Sequence, residues 1–137
     1  MEVLIDTGPL VAYLDASDTA HAWAKEQFMR LTRPLLTCEA VMAESLFLLR
    51  RGGIPPNGLL GLIRRGLVVP SFSLATEIEA IQLLIKSYQN IPMSLADACL
   101  VRMSEIHERS IVMTLDSDFT VYRKSRRKVI PLLRPER

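Results

Sequence analysis

The chain opens with Met1-Glu2-Val3-Leu4-Ile5-Asp6, an apolar run that stops at an acid. A second run, Ser110-Ile111-Val112-Met113-Thr114-Leu115, leads directly into Asp116 and Asp118. Short apolar runs of this kind are typical of strands buried on both faces of a parallel sheet. Ligands of open parallel sheets bind beyond the carboxyl ends of the strands. The acids that follow both runs therefore predict a site at that edge.

Strand-like and helix-like patterns alternate along the rest of the chain, which predicts a mainly parallel sheet with helices on both faces. Thr7 or Gly8 is expected to cap the first helix and Asp18 the second. The helix over 76–88 is expected to turn Ile78, Ile81, Leu84 and Ile85 inward. The predicted strands cover residues 2–6, 35–37, 67–70, 110–115 and 129–132; the predicted helices cover residues 9–14 and 18–31, a segment around Glu44 to about Arg51, a short segment to Arg65, residues 76–88 and 94–108, and a short turn after Asp118.

Two further acids, Glu44 and Asp97, lie inside predicted helices. The residues one turn away from Glu44 are all apolar, namely Ala40, Val41, Phe47 and Leu48. Asp97 has Met93 before it and Leu100 and Val101 after it. Burying an unpaired carboxylate is costly, and no Lys or Arg shares the helical face of either acid. A divalent metal ion is the partner that all these acids could share. The pattern therefore points to metal-assisted phosphodiester chemistry.

Four of the five acids also have a local structural explanation. Asp6 could cap the helix that follows it, and Ser94 with Asp97 forms a Ser-x-x-Asp pattern like a capping box. Asp116 and Asp118 resemble an Asx turn that opens a short helix. Glu44 has no such local role, whereas nearby Glu39 suits the positive end of a helix dipole. To assume that all of these acids have only local roles is less economical than to assume that they share one site.

Composition bounds the class of protein. The 137 residues are 49% hydrophobic and 23% charged, which predicts one folded domain over residues 1–137. No apolar run approaches the ~20 residues of a membrane span, and the first residues lack the basic segment of a signal peptide. Cys38 and Cys99 are expected to be buried free thiols in a reducing cytoplasm, although a disulfide between them is an alternative.

Charge is distributed unevenly along the chain. Residues 120–137 hold 7 of the 17 Lys and Arg residues but only 1 of the 15 acids. Such a basic segment beside an acidic body predicts a phosphate-binding surface near the metal site. The alternative is a solvated turn before the last strand. The cations in question are Arg123, Lys124, Arg126, Arg127 and Lys128.

Other chemistries find little support in the sequence. His21 and His107, the only histidines, have no His or Cys at the spacing of a zinc site. The chain contains no Gly-x-Ser-x-Gly elbow, no Walker loop and no Gly-x-Gly-x-x-Gly motif. Carboxylate oxygens are hard ligands, so Mg²⁺ or Mn²⁺ is the expected cofactor.

Four short motifs in this order resemble the PIN-domain ribonucleases, most closely the VapC-type toxins of toxin–antitoxin pairs. They are Leu4-Ile5-Asp6-Thr7-Gly8-Pro9-Leu10, Thr37 with Glu44, Ser94-Leu95-Ala96-Asp97-Ala98, and Thr114-Leu115-Asp116-Ser117-Asp118-Phe119. The resemblance implies a three-layer α/β/α fold, RNA cleavage, a homodimer and a cognate antitoxin. It also implies a metal site formed by Asp6, Glu44, Asp97 and Asp116, with Asp118 assisting and Thr7 and Thr114 supporting.

The sequence therefore predicts a Mg²⁺- or Mn²⁺-dependent endoribonuclease, the toxin half of a toxin–antitoxin pair. Asp6, Asp97 and Asp116 would hold the metal, and Glu44 would be a further ligand or orient the attacking water. Three alternatives stay open. They are a PIN-like module that binds RNA or protein without cleaving, a PIN nuclease of RNA processing, and a metal-dependent phosphatase that acts on small substrates.

Overall fold

The computed structural model describes residues 1–136 and contains seven strands and six helices. The strands are β1 (Glu2–Ile5), β2 (Leu35–Thr37), β3 (Val68–Pro70), β4 (Ser110–Met113), β5 (Arg123–Lys124), β6 (Lys128–Val129) and β7 (Leu132–Leu133). The helices are α1 (Thr7–Leu14), α2 (His21–Arg30), α3 (Glu39–Arg51), α4 (Asn57–Arg64), α5 (Ile78–Ser87) and α6 (Leu95–Ile106), and a 3₁₀ turn covers Ser117–Thr120.

Five strands form one parallel sheet in the order β3-β2-β1-β4-β7. The chain winds outward from β1 through β2 to β3, then returns to place β4 on the other side of β1. This reversal is a topological switch point, where the loops after neighbouring strands part and leave a crevice. Asp6 follows β1 and Asp116 follows β4, so both acids lie at that crevice.

The two central strands, β1 and β4, are almost entirely apolar because they lie in the hydrophobic core. Leu4 and Ile5 of β1 and Val112 and Met113 of β4 are fully buried. Helix α6 packs against both strands and against α3, and it buries eight of its twelve residues. The centre of the molecule is therefore β1, β4 and α6, the three elements that carry or precede the acids of the candidate site.

Most of the predicted elements are confirmed, with corrections at their ends. Asp6, not Thr7 or Gly8, caps α1. Asp18 caps a turn instead of α2, because its carboxylate accepts from the backbone N–H of Ala20, which is the residue before that helix. The predicted free thiols are confirmed, since Cys38 and Cys99 are both buried and unbridged.

Two further predictions, one about helix packing and one about a strand, are wrong. Ile78 and Ile85 of α5 were expected to face inward, but they are 45% and 40% exposed, and Ile81 is the one buried residue of this helix. The predicted strand over 129–132 is divided: Val129 pairs with Arg123 in a hairpin, and the last strand of the main sheet is Leu132–Leu133. Within residues 1–136, no helix combines the length and the apolar character that crossing a membrane requires.

Candidate metal centre

Thr114 joins the ends of the two central strands. Its hydroxyl donates to Asp6 Oδ2 at 2.7 Å and accepts from the backbone N–H of Asp116 at 2.9 Å. Asp6 Oδ1 accepts from the N–H of Thr7 at 2.8 Å, so this carboxylate also begins α1. Both oxygens of Asp6 are thereby fixed in direction, and the loop after β4 is held against the end of β1.

Three carboxylates gather beside this link. Asp97, Asp116 and Asp118 each offer an oxygen atom, and these oxygens lie within 4.8 Å of one another. The backbone N–H of Asp118 donates to Asp116 Oδ1 at 2.8 Å, which forms the predicted Asx turn and opens the 3₁₀ turn. Asp97 is buried, while Asp116 and Asp118 reach solvent. The cluster is therefore open on one side and closed on the other.

Asp97 is held from two directions. Ser94 caps α6 by accepting from the N–H of Asp97 at 3.0 Å, as the Ser-x-x-Asp pattern predicted. The Tyr122 hydroxyl donates to Asp97 Oδ2 at 3.0 Å. Tyr122 is fully buried, and its ring packs edge-on against Phe119 and Tyr88. A rigid aromatic cluster therefore orients this carboxylate.

Sequence reasoning missed Tyr122 as a site residue. Its role depends on the return of the chain after the 3₁₀ turn, which brings residue 122 alongside the first turn of α6. The one signal in the sequence is a tyrosine four residues after Asp118, in a segment otherwise dominated by cations.

Burial and mutual repulsion disfavour the charged forms of these acids. Burial raises the pKa of Asp6 to about 6, and the charges of Asp97 and Asp116 add to this effect against the opposing hydrogen bonds from Thr114 and Thr7. Burial also raises the pKa of Asp97, and the charge of Asp116 acts in the same direction. Burial, followed by the charge of Asp97, raises the pKa of the Tyr122 phenol, which keeps it a proton donor to that carboxylate.

The residues present suit a divalent cation. Hard cations bind oxygen atoms at roughly 2.0–2.6 Å, so two ligands of one ion lie within about 5 Å of each other. The oxygens of Asp97, Asp116 and Asp118 satisfy that spacing. The hydroxyl of Thr7, the residue after Asp6, is buried and has no hydrogen-bond partner among the described residues, so it is an oxygen with no other role in the structure. A cation would also relieve the repulsion that raises the two aspartate pKa values.

Glu44 differs from the other acids in its burial. The expectation that it lies on a buried apolar face is wrong, because Glu44 is exposed and its neighbour Phe47 is 59% exposed. Helix α3 buries the opposite face, which carries Met42 and Leu49. Glu44 lies in the second turn of a helix that begins directly after β2, at the same edge of the sheet as Asp6. It is not among the three acids that approach within 4.8 Å.

The basic segment lies near the acids only where it begins, at Arg123 after Tyr122. Its hairpin docks on the second half of α6: the N–H of Ser125 donates to Glu105 Oε2 at 2.6 Å, and Lys124 Nζ donates to the carbonyl of Glu108 at 3.2 Å. Glu105 comes eight residues after Asp97 on the same helix, which is about 12 Å at 1.5 Å per residue. The tip of the hairpin therefore lies away from the metal edge, because the hairpin contacts Glu105 and Glu108, toward the opposite end of α6.

Comparison with known proteins identifies the family and the fold of the chain. The model of the PIN domain family matches residues 3–125. The crystal structure of VapC20 from Mycobacterium tuberculosis, described as a sarcin-ricin loop cleaving toxin, is similar with a TM-score of 0.73 and 21% sequence identity over 88% of this chain and 94% of that one. No curated protein sequence matches the chain. The predicted three-layer α/β/α fold with a central parallel sheet is confirmed.

The raised pKa of Asp6 predicts a pH-dependent stability for the metal-free protein. Between the unfolded value of 3.8 and the folded value of about 6, the native state holds a proton that the unfolded state has lost. Stability therefore falls as pH rises through this window and stays lower above it, by on the order of 3 kcal/mol for a shift of about two pKa units. Asp6→Asn should remove this part of the pH dependence.

Urea unfolding in the presence of a chelator, at several pH values from 4 to 7.5, measures this difference. The expected result is a wild-type free energy of unfolding that declines more steeply between pH 4 and 6 than that of Asp6→Asn. Parallel pH profiles for the two proteins would contradict the raised pKa.

Proposed function

The chain belongs to the PIN-domain family, and from this premise we propose that it is a divalent-metal-dependent endoribonuclease. The observation that carries the proposal is the group of carboxylate oxygens from Asp97, Asp116 and Asp118 at the switch point of a parallel sheet, with Asp6 linked to it through Thr114. Phosphodiester cleavage needs a site that concentrates positive charge on the phosphate, and an open cluster of acids holds the cation that provides it.

In the proposed mechanism the buried and half-buried aspartates bind the metal ion, and the exposed Glu44 acts on the attacking water. Asp6, Asp97 and Asp116 would hold Mg²⁺ or Mn²⁺, with Asp118 as an assisting ligand. When bound, the ion would polarise the scissile phosphate and favour ionisation of the attacking water. Thr114 and Tyr122 keep Asp6 and Asp97 in place through hydrogen bonds to their carboxylates.

Glu44 is proposed as the group that orients the attacking water and accepts its proton. A general base must contact both water and substrate, so an exposed carboxylate is suited to this role. The position of Glu44 near the start of α3, whose first turn follows β2 at the edge of the sheet that carries Asp6, supports the assignment.

We further propose that the nuclease is the toxin of a toxin–antitoxin pair, acts in the cytoplasm as a homodimer and is neutralised by a cognate antitoxin. The fold it shares with VapC20 supports this role. Phe47 and Leu48 on the outer face of α3 are 59% and 38% exposed, and such apolar surface is commonly covered by a partner. The alternatives are an RNA-processing nuclease and a non-catalytic module. The second is disfavoured because all four acids of the motif are present.

Removal of one metal-binding acid should abolish cleavage without unfolding the protein. Asp6→Asn and Asp97→Asn should each lower Mg²⁺-dependent cleavage of a labelled RNA at least about 100-fold, since each loses several kcal/mol of electrostatic stabilisation and 1.36 kcal/mol is tenfold in rate. Asp18→Asn is the matched control, because Asn can still accept the capping hydrogen bond from Ala20. Cleavage that survives both site substitutions would rule out the mechanism.

The proposed base can be tested separately on the same helix. Glu44→Gln should lower kcat and leave the affinity for Mn²⁺ nearly unchanged, because the group acts on water more than on the ion. Glu39→Gln, five residues earlier and also exposed, is its control. Equal activity in the two variants would remove Glu44 from catalysis.

Tyr122→Phe should weaken metal binding while the core remains packed. Loss of the hydroxyl leaves Asp97 Oδ2 without its donor, and loss of such an orienting hydrogen bond typically lowers metal affinity about 10-fold or more. Calorimetric titration with Mn²⁺ measures this change. Tyr13→Phe, whose ring stacks on Phe28 between α1 and α2, is the control and should bind Mn²⁺ as the wild type does. An unchanged affinity in Tyr122→Phe would show that the hydrogen bond does not support the site.

The toxin role makes a prediction in living cells. Induced expression of the chain in a bacterial host should arrest growth, expression of Asp97→Asn to the same level should not, and co-expression of a cognate antitoxin should restore growth. A protein that cleaves RNA in vitro but leaves growth unaffected at comparable levels would favour the RNA-processing alternative.

A further inference from the structure

The hairpin of β5 and β6 presents three cations that are not neutralised. Arg126, Arg127 and Lys128 are exposed, and within residues 1–136 no carboxylate forms a salt bridge with any of them. The turn has a defined backbone conformation, because Ser125 and Arg126 both adopt left-handed φ angles of 50° and 71°. Its tip is therefore a compact cluster of positive charge on a well-defined support.

The other two cations of the segment fix the hairpin in place. The Arg123 guanidinium donates from one nitrogen to the carbonyls of Thr120, Val121 and Tyr122 at 2.8–3.1 Å. Lys124 is bonded to the carbonyl of Glu108, two residues beyond the end of α6. Arg123 thus fixes the turn that precedes the hairpin and Lys124 fixes the hairpin to the segment after α6, while the cations of the tip make no such contacts among the described residues.

The hairpin is connected directly to the metal centre. Tyr122 contacts Asp97, and the next residue, Arg123, donates its N–H to the Tyr88 hydroxyl at 2.9 Å. From there the chain follows α6 away from the site to the contact between Ser125 and Glu105. The segment therefore forms a basic ridge, residues 123–128, that begins beside the acids and ends about 12 Å further along α6, at 1.5 Å per residue.

A groove of about 560 Å³ runs beside the ridge. Arg123, Ser125 and Arg126 line one side of it, and Leu83, Leu84 and Tyr88 contribute apolar and aromatic surface. Single-stranded RNA is bound by this combination, because bases stack on aromatic and apolar side chains while cations meet the phosphates. Glu105, the acid in the groove, is already paired with Arg102 and with the N–H of Ser125.

We propose that the basic ridge and its groove bind the RNA strand beyond the cleaved bond, several nucleotides from the metal centre. The proposal rests on the proposed function for its substrate and adds a second contact region to it. At a rise of about 3.4 Å per stacked nucleotide, the length of the ridge corresponds to roughly four nucleotides. Short RNA would reach the metal centre alone, and longer RNA would reach both.

Salt dependence of RNA binding tests this surface. The probe is oligouridylate of about 20 nucleotides, compared with one of about 4 nucleotides, and all binding is measured in an Asp97→Asn background so that the RNA stays intact. The test variant is Arg126→Gln/Arg127→Gln, which removes two charges and keeps polar side chains. The matched control is Arg64→Gln/Arg65→Gln, an exposed pair of adjacent arginines at the end of α4.

The expected result is selective for length and for position. Each phosphate contact contributes about 0.7 to the slope of log affinity against log salt for a single strand, so the hairpin variant should flatten the slope by about 1.4 on the long RNA. It should leave binding of the short RNA unchanged, and the control pair should alter neither slope.

Three results would overturn the proposal. The first is an unchanged salt slope of the hairpin variant on long RNA, which would make an acidic protein the partner of the ridge. The second is an equal change of slope on the short RNA. The third is an equal change of slope in the Arg64→Gln/Arg65→Gln control. The result is separable from the proposed function. If the slope changes selectively but the wild-type chain does not cleave RNA, the binding surface is supported and the nuclease activity is ruled out. If the wild-type chain cleaves RNA but the slope is unchanged, the nuclease activity is supported and the binding surface is ruled out.

Discussion

The hydrogen bonds of the Thr114 hydroxyl hold the candidate site together. This one group donates to Asp6 after β1 and accepts from the backbone of Asp116 after β4, and it is fully buried. Two carboxylates that repel each other are thereby kept at one edge of the sheet. A buried hydroxyl with both roles satisfied holds its geometry well, because either partner left alone would be an unpaired polar group away from water. The acids can therefore stay close together without a counter-charge from a basic side chain.

Two of the carboxylates at the candidate site also have a local structural role. Asp6 caps α1 and Asp116 forms the Asx turn of the 3₁₀ helix, whereas Asp97 donates its backbone N–H to Ser94, which caps α6. These local roles are compatible with the shared metal site that we propose, since a carboxylate has two oxygens and each can accept more than one contact. Caps at strand ends fix the backbone, and the direction of the backbone then fixes where the remaining lone pairs point. A cluster built this way is prepared for a cation before the cation binds.

The sequence was sufficient for the elements whose signals are local. The apolar runs that end at Asp6 and before Asp116 predicted two central parallel strands, and Ser94 with Asp97 predicted a helix cap. It was insufficient where tertiary structure decides the outcome. Exposed apolar neighbours made Glu44 look buried, because a helix pattern does not show which face meets the core when both faces carry apolar residues. Tyr122 was missed for a related reason, since its partner lies 25 residues away and depends on the path of the intervening chain.

We propose that the acids of the switch point share a divalent cation, and anomalous diffraction from crystals soaked in Mn²⁺ would locate such an ion. We expect a manganese peak within about 2.5 Å of oxygens from at least two of Asp97, Asp116 and Asp118, the range expected for carboxylate ligands. The peak should disappear in crystals of Asp97→Asn grown under the same conditions. Well-ordered wild-type crystals at saturating Mn²⁺ with no peak at these carboxylates would rule out the shared cation.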